Sequence, residues 1–434
     1  MRTLRRIPMH REGSDRGGMD HRRTARTALW ALVCLLPSTA LSGELRVHAG
    51  PWRAWLDSPG GPLPFRMQWR QADGRDHVTI RNGPERIEVA RVTWKGGTVT
   101  LHLDPYDSRI VATVEESGRR LTGRWERASR GDTMTRMPFH ARAGDEARFP
   151  PLPAEASAKR GDVTGRWKVR FSKSDDPAVA LFEQQRDGNV VGTFLTPTGD
   201  YRFLAGRLDA DRLRLSAFDG AHAFLFHATL RPDGTLNGDF WSRDTWHETW
   251  TARRDPHARL PDAFTLTRWT GNASLADLRF RDLDGNFRSL DEPEFSGKAR
   301  IIEVFGSWCP NCNDATRYLV ELDRRYRDRG LRIIGLAFEL SGDVEKDIAR
   351  LKRYVAHHGI RYPVLLAGTA DKDQASRALP LVDRIRAYPT TLFIDARGRV
   401  KAVHTGFSGP ATGDAYARLR KTFESIIDDM LSSP

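Results

Sequence analysis

Cys309 and Cys312 stand two residues apart between a short apolar run, Ile301-Ile-Glu-Val-Phe305, and a stretch of helical periodicity. Ala315, Tyr318, Leu319, Leu322 and Tyr326 recur at intervals of three and four, and Gly330 stops the pattern. A five-residue apolar run reads as a buried central strand, so the cysteines fall where a strand ends and a helix begins. Free N–H groups at a helix start carry positive potential, which favours a thiolate. Cys309 is therefore expected in the first turn, partly exposed, as a nucleophile. Cys312, one turn further, is expected to be covered and to resolve a mixed disulfide. Pro310 fits a first helical turn because it needs no donor there. From about Thr270 strands and helices alternate. Strands are expected at Leu331–Phe338 and Tyr362–Leu366, and hairpins at Leu278–Leu290 and Thr390–His404. Helices are expected over Asp343–His357, Lys372–Ile385 and about Thr412–Met430.

The stretch from Gly43 to about Pro256 has a different texture. Alternating runs such as Thr98–Leu103 and Arg212–Ser216 are broken by Asp73-Gly74, Asp187-Gly188 and Asp233-Gly234, the pattern of antiparallel strands and turns. It also repeats. Trp52 and Trp167, Asp104 and Asp219, and Leu121 and Leu236 share one offset of 115 residues. Two tandem β modules, 44–150 and 160–258, are expected. Phe149-Pro-Pro-Leu-Pro153 and Ala154–Lys159 read as the linker between them. One large sandwich with coincidental tryptophans is the alternative.

The chain has 434 residues and a net charge of +13. Residues 1–43 hold eight arginines against Glu12, Asp15 and Asp20, which leaves +8 on the remainder. That surplus is diffuse, with no basic run interleaved with aromatics, so no nucleic-acid partner is implied. Arg22, Arg23 and Arg26 precede the apolar run Ala28–Leu36, and Ser38 and Ala40 fit the small-x-small cleavage rule. Residues 1–43 are read as a cleaved export signal, too short to span a bilayer comfortably. Cys34 leaves with it, so the mature chain keeps one cysteine pair. So tight a loop constrains an unfolded chain little, and the pair is read as chemically active. A zinc site would need further ligands, and His357, His358 and His404 lack ligand-like spacing with the pair. No metal and no organic cofactor are called for.

Residues 272–430 resemble the thioredoxin superfamily, specifically its exported TlpA/ResA-like, AhpC/TSA-related thiol–disulfide oxidoreductases. The resemblance rests on Trp308-Cys309-Pro310-Asn311-Cys312, on Tyr388-Pro389-Thr390-Thr391 and on Gly285. It implies that Pro389 is cis and faces the cysteines, and that Trp308, Pro310, Tyr388 and Thr390 border a substrate groove. It also implies a periplasmic location, disulfide-bearing protein substrates and re-reduction by a membrane electron donor. The expected architecture is two tandem antiparallel β modules followed by a C-terminal α/β thioredoxin-like domain over 271–434. A peroxiredoxin-type peroxidase is disfavoured, because Gly306 and Ile302 occupy the places where that family has Thr or Ser and Pro.

Glu303, six residues before Cys309, lies inside the apolar run. Thioredoxins place an acid there that helps to deprotonate the resolving cysteine, and burial would raise its pKa. A salt bridge to Lys298 or Arg300 is the alternative. Two rival functions use the same chain: a disulfide-introducing oxidase running the same cysteines in reverse, and a ligand- or partner-binding β protein with a redox-controlled thioredoxin-like domain.

Overall fold

Among the described residues before 255, strands of alternating buried and outward residues predominate. Arg109, Val111, Thr113 and Glu115, for example, point outward while Ser108, Ile110, Ala112 and Val114 are buried. A computed structural model describes residues 47–129, 133–152 and 161–432. The expected signal over 1–43 and the Ala154–Lys159 stretch lie outside the described residues.

The first sheet contains β1 (Gly50–Ser58), β2 (Gly61–Ala72), β3 (Arg75–Asn82), β4 (Glu85–Glu88) and β5 (Arg91–Lys95). It continues through β6 (Thr98–Leu103), β7 (Ser108–Glu115), β8 (Arg120–Ala128) and β9 (Met134–Ala143). Neighbours in sequence pair antiparallel except β4 and β5, which form the two edges; β9 returns to β1, and the order is β4-β3-β2-β1-β9-β8-β7-β6-β5. Asp73 and Gly74 both take positive φ (52° and 69°) in the tight turn between β2 and β3. Trp52, Trp69 and Trp125 are fully buried in the core.

The second sheet holds β10 (Gly165–Phe171), β11 (Ala178–Gln184), β12 (Asn189–Thr196), β13 (Gly199–Asp200) and β14 (Leu204–Asp209). β15 (Arg212–Phe218), β16 (Ala223–Leu230), β17 (Leu236–Ser242) and β18 (Trp246–Arg254) complete it. β18 pairs with β10 and β11 with β12, so eight strands close into an antiparallel barrel, with β13 as a short addition. Aromatic rings fill its interior: Phe194 stacks on Phe226 at 4.6 Å and Phe226 on Phe240 at 4.3 Å between centroids.

The two sheets share a core. Alternate residues of β15 and β16 face opposite ways, and both faces are buried. Leu213, Leu215, Phe224 and Phe226 point into the barrel, while Phe218, Ala223 and Leu225 join the core of the first sheet. Phe218 lies 4.5 Å from Phe65 and edge-on to Trp125 at 5.4 Å. The segment read as linker begins later than expected. Phe149 is buried in the first core, and Arg148 donates to Pro64 O, Ser216 O and Asn82 Oδ1. An aromatic followed by prolines reads locally as a linker, but its ring fills a gap made by remote strands.

The C-terminal sheet contains β19 (Arg279–Asp282), β20 (Phe287–Ser289), β21 (Ala299–Phe305), β22 (Leu331–Glu339), β23 (Val364–Thr369), β24 (Thr390–Ile394) and β25 (Val400–Thr405). Its order is β20-β19-β23-β22-β21-β24-β25, with β21, β22 and β23 parallel and the rest antiparallel. Every residue of β21 is buried. The helices are α1 (Pro310–Tyr326), α2 (Val344–His358), α3 (Lys372–Ala378) and α4 (Asp414–Ser432). The helix expected over Lys372–Ile385 ends at Ala378. Leu379 precedes Pro380, whose ring disfavours helical geometry in the residue before it, and Leu379 sits at φ −125°, ψ 70°. Among the described residues no helix is long and apolar enough to cross a membrane.

Candidate active site

Cys309 is the N-cap of α1, and Pro310 its first helical residue. The Cys309 sulfur accepts from Cys312 N at 3.3 Å, the contact a capping side chain makes with an unpaired amide of the first turn. Its thiol donates to Tyr388 O at 3.4 Å. Cys312 is fully buried, and the two sulfurs are not joined in a disulfide in this structure. Burial, followed by hydrogen bonding and charge from Cys309, pushes the Cys312 thiol well up.

The Tyr388–Pro389 peptide is cis. Tyr388 packs edge-on against Trp308 at 5.6 Å, and the Trp308 indole donates to Phe338 O at 2.9 Å. Thr390 is buried, with its hydroxyl donating to Ala387 O. Glu303 is buried on β21. Thr391 Oγ1 donates to its Oε2 at 2.7 Å, while Oε1 has no hydrogen-bond partner. Burial raises the Glu303 carboxyl to about 8, and its charge is among the influences on Cys312. The alternative ion pair is not formed with Arg300, which instead donates to Leu290 O and Asp291 Oδ1.

One expectation is corrected. Cys309, expected to be partly exposed, is only 6% exposed, and Pro310 and Asn311 are buried beside it. The covering groups come from the β sheets. Arg202, itself buried, donates through Nη1 to Pro310 O at 3.0 Å and to Asp314 Oδ2 at 2.6 Å. Through Nη2 it pairs with Glu85 of the first sheet, and its Nε lies 3.3 Å from Asp219. Asp200 accepts from Gly409 N at 2.6 Å, and burial beside Asp314 raises its carboxyl to about 6. Gly199 has φ +148°, and a Cβ there would lie 1.9 Å from Asn311 Nδ2, so glycine allows the β12–β13 turn to seat on the helix start. From the first sheet, Arg127 donates to Trp308 O at 2.9 Å.

Further polar groups hold the turn from within. Glu339 accepts from Ser307 N at 2.8 Å and Ser307 Oγ at 2.7 Å, and burial raises it to about 7. Asn313 donates to Cys309 O at 3.0 Å, and its Oδ1 lies 2.8 Å from His358 Nε2. Burial pushes His358 down to about 3, so the ring is neutral and Nε2 is the donor in that pair. None of Arg127, Arg202, Glu339, Asn313 or His358 belongs to a local motif. The positive φ of Arg202 (56°) and the apolar setting of Glu339 were the available hints. Among the described residues no group of three or more His, Cys, Asp or Glu is placed to hold a metal.

Residues 270–419 match the Redoxin family. The chain is 26% identical over 127 residues to the thiol-disulfide oxidoreductase ResA of Halalkalibacterium halodurans, across 29% of this chain and 62% of that protein. The C-terminal domain is TlpA/ResA-like, within the thioredoxin superfamily. ResA of Bacillus thuringiensis strain Al Hakam is 30% identical to the chain over 119 residues, 27% of this chain and 60% of that one. The chain thus spans a little under two thirds of the length of these relatives. A thioredoxin-family thiol:disulfide interchange protein from Chlorobium tepidum is 26% identical, covering 36% of this chain and 92% of its own, with a TM-score of 0.28. In the TlpA/ResA-like domain described here, the redox helix starts beneath groups supplied by both β sheets.

Proposed function

We propose that this protein is an exported thiol–disulfide oxidoreductase that reduces disulfides of periplasmic partner proteins through Cys309 and Cys312. The observation that carries the reading is the Cys309 sulfur at the N-cap of α1, accepting from Cys312 N one turn above a buried second thiol. The Cys309 thiolate attacks a partner disulfide; one S–S bond forms and another breaks, and one partner thiolate leaves. The ionised fraction of Glu303, which grows as pH rises toward about 8, accepts the Cys312 proton, and Cys312 then attacks Cys309. The second partner thiolate is released and takes up a proton, and the Cys309–Cys312 disulfide holds the two-electron oxidation. A membrane electron donor returns the pair to dithiol. Trp308, Pro310, Tyr388, Pro389 and Thr390 border the groove that receives the partner. The resemblance to ResA supports this assignment.

The β sheets are proposed to be two related modules, 44–150 and 160–258, that shield the redox face until a partner displaces them. The 115-residue offset carries β7 (Ser108–Glu115) onto β16 (Ala223–Leu230). Trp52 and Trp167, on the first strands, each donate to the carbonyl four residues back at 2.9 Å. The aromatic filling of the barrel does not favour a ligand held inside it.

The test is partner capture by the full chain carrying Cys312→Ser. Mixed disulfides on Cys309 that are absent from the Cys309→Ser chain are expected, together with a potential for the wild-type pair near or below about −270 mV. Absence of any Cys309 adduct, in a chain that remains folded, would overturn the exchange mechanism.

A further inference from the structure

Arg127, near the end of β8, is buried, yet among the described residues it forms no ion pair. Its Nη1 donates to Ala221 O at 2.9 Å and its Nη2 to Trp308 O at 2.9 Å, while Nε has no partner. Arg202, by contrast, sits among three carboxylates. The charged and titratable groups that face Arg127 are Asp219, Tyr106, Arg243 and Arg350. Asp219 is already engaged by His222 at 3.1 Å and Arg202 at 3.3 Å, and Arg243 and Arg350 repel the Arg127 charge. Burial lowers Arg127 to about 10, so it remains a cation at neutral pH, but a strained one.

A buried charge without a counter-charge is expensive, and two neutral carbonyls offset only part of that penalty. One of those carbonyls belongs to the peptide whose nitrogen is Cys309 N. That nitrogen donates to Gly306 O at 3.1 Å, so Arg127 braces the turn Gly306–Cys309 from outside the redox domain. The group one residue on becomes an anion in thiol–disulfide exchange. We propose that Arg127 is a positioning residue of the redox couple, a β-sheet cation that holds the peptide carrying Cys309 and stabilises the Cys309 thiolate.

This rests on the oxidoreductase reading above. The test measures the pH dependence of iodoacetamide alkylation in the full chain carrying Cys34→Ser and Cys312→Ser, where Cys309 is the single thiol, with and without Arg127→Met. The midpoint is expected to rise by about one unit in Arg127→Met, a tenfold loss of thiolate below the midpoint. With both cysteines present, Arg127→Met should make the couple about 30 mV more reducing, the equivalent of tenfold for two electrons. Arg127→Lys, which keeps the charge but not the two-pronged grip, should restore most of both shifts. An unchanged midpoint in folded Arg127→Met overturns the proposal. If Arg127→Met does not fold, Arg127→Lys is compared with Arg127→Gln, and equal midpoints overturn it. A chain that captures no partner but shows the shift would sink the oxidoreductase reading and leave the role of Arg127 standing.

Discussion

Glu303 lies in an all-buried strand with one hydroxyl donor and no cation, and its carboxyl holds its proton until about pH 8. Below about pH 4.5 both folded and unfolded chains are protonated there, and the group costs nothing in linkage. Between about 4.5 and 8 only the unfolded chain ionises, so stability falls as pH rises through that window. One pKa unit is about 1.4 kcal/mol, so by pH 7 the loss is about 3 kcal/mol. Glu303→Gln should therefore raise the urea midpoint at pH 7.5 and leave it nearly unchanged at pH 4.5. The same substitution should slow release of the mixed disulfide most as pH approaches 8, where the ionised Glu303 that can take the Cys312 proton becomes abundant. Equal stability gains at both pH values would count against a neutral, buried Glu303.

At the scale of elements, α1 and the β13–β14 connection are joined by Arg202, whose guanidinium ties Pro310 O and Asp314 to Glu85 and Asp219. Removing one member of such a buried set leaves the others uncompensated, at about 3–5 kcal/mol. Arg202→Met is expected to lower the melting temperature and to speed alkylation of Cys309 as this connection lifts from the helix start. A destabilised variant whose Cys309 reacts no faster would show that the connection does not govern access. Local signals served other elements well. The period of α1, the αL cap at Gly330 and the apolar run of β21 are properties of neighbouring residues. The helix expected over Lys372–Ile385 stops at Ala378 because the ring of Pro380 disfavours helical geometry at Leu379.

Across the whole molecule, the shared core makes the two β sheets energetically inseparable. Phe218 belongs to the barrel by sequence and to the first sheet by packing. Truncating a buried aromatic costs about 3–5 kcal/mol, and here the loss should fall on both sheets. Phe218→Ala is expected to lower amide hydrogen-exchange protection in β2 and β8 as well as in β15, with one cooperative unfolding transition. Loss confined to β15 would show that the sheets unfold independently.

The sequence by itself determined the strand-built first half, the α/β texture after Thr270 and the Cys309–Cys312 junction, since each is written in residues that are neighbours along the chain. Tertiary structure alone decided that the redox site is covered and what covers it. Arg127 and Trp308 are 181 residues apart, and Arg202 and Asp314 are 112 apart. Such contacts carry no period or spacing of their own. They exist because Phe218 and its neighbours lock one sheet onto the other, and that packing brings isolated arginines to the start of a helix elsewhere in the chain.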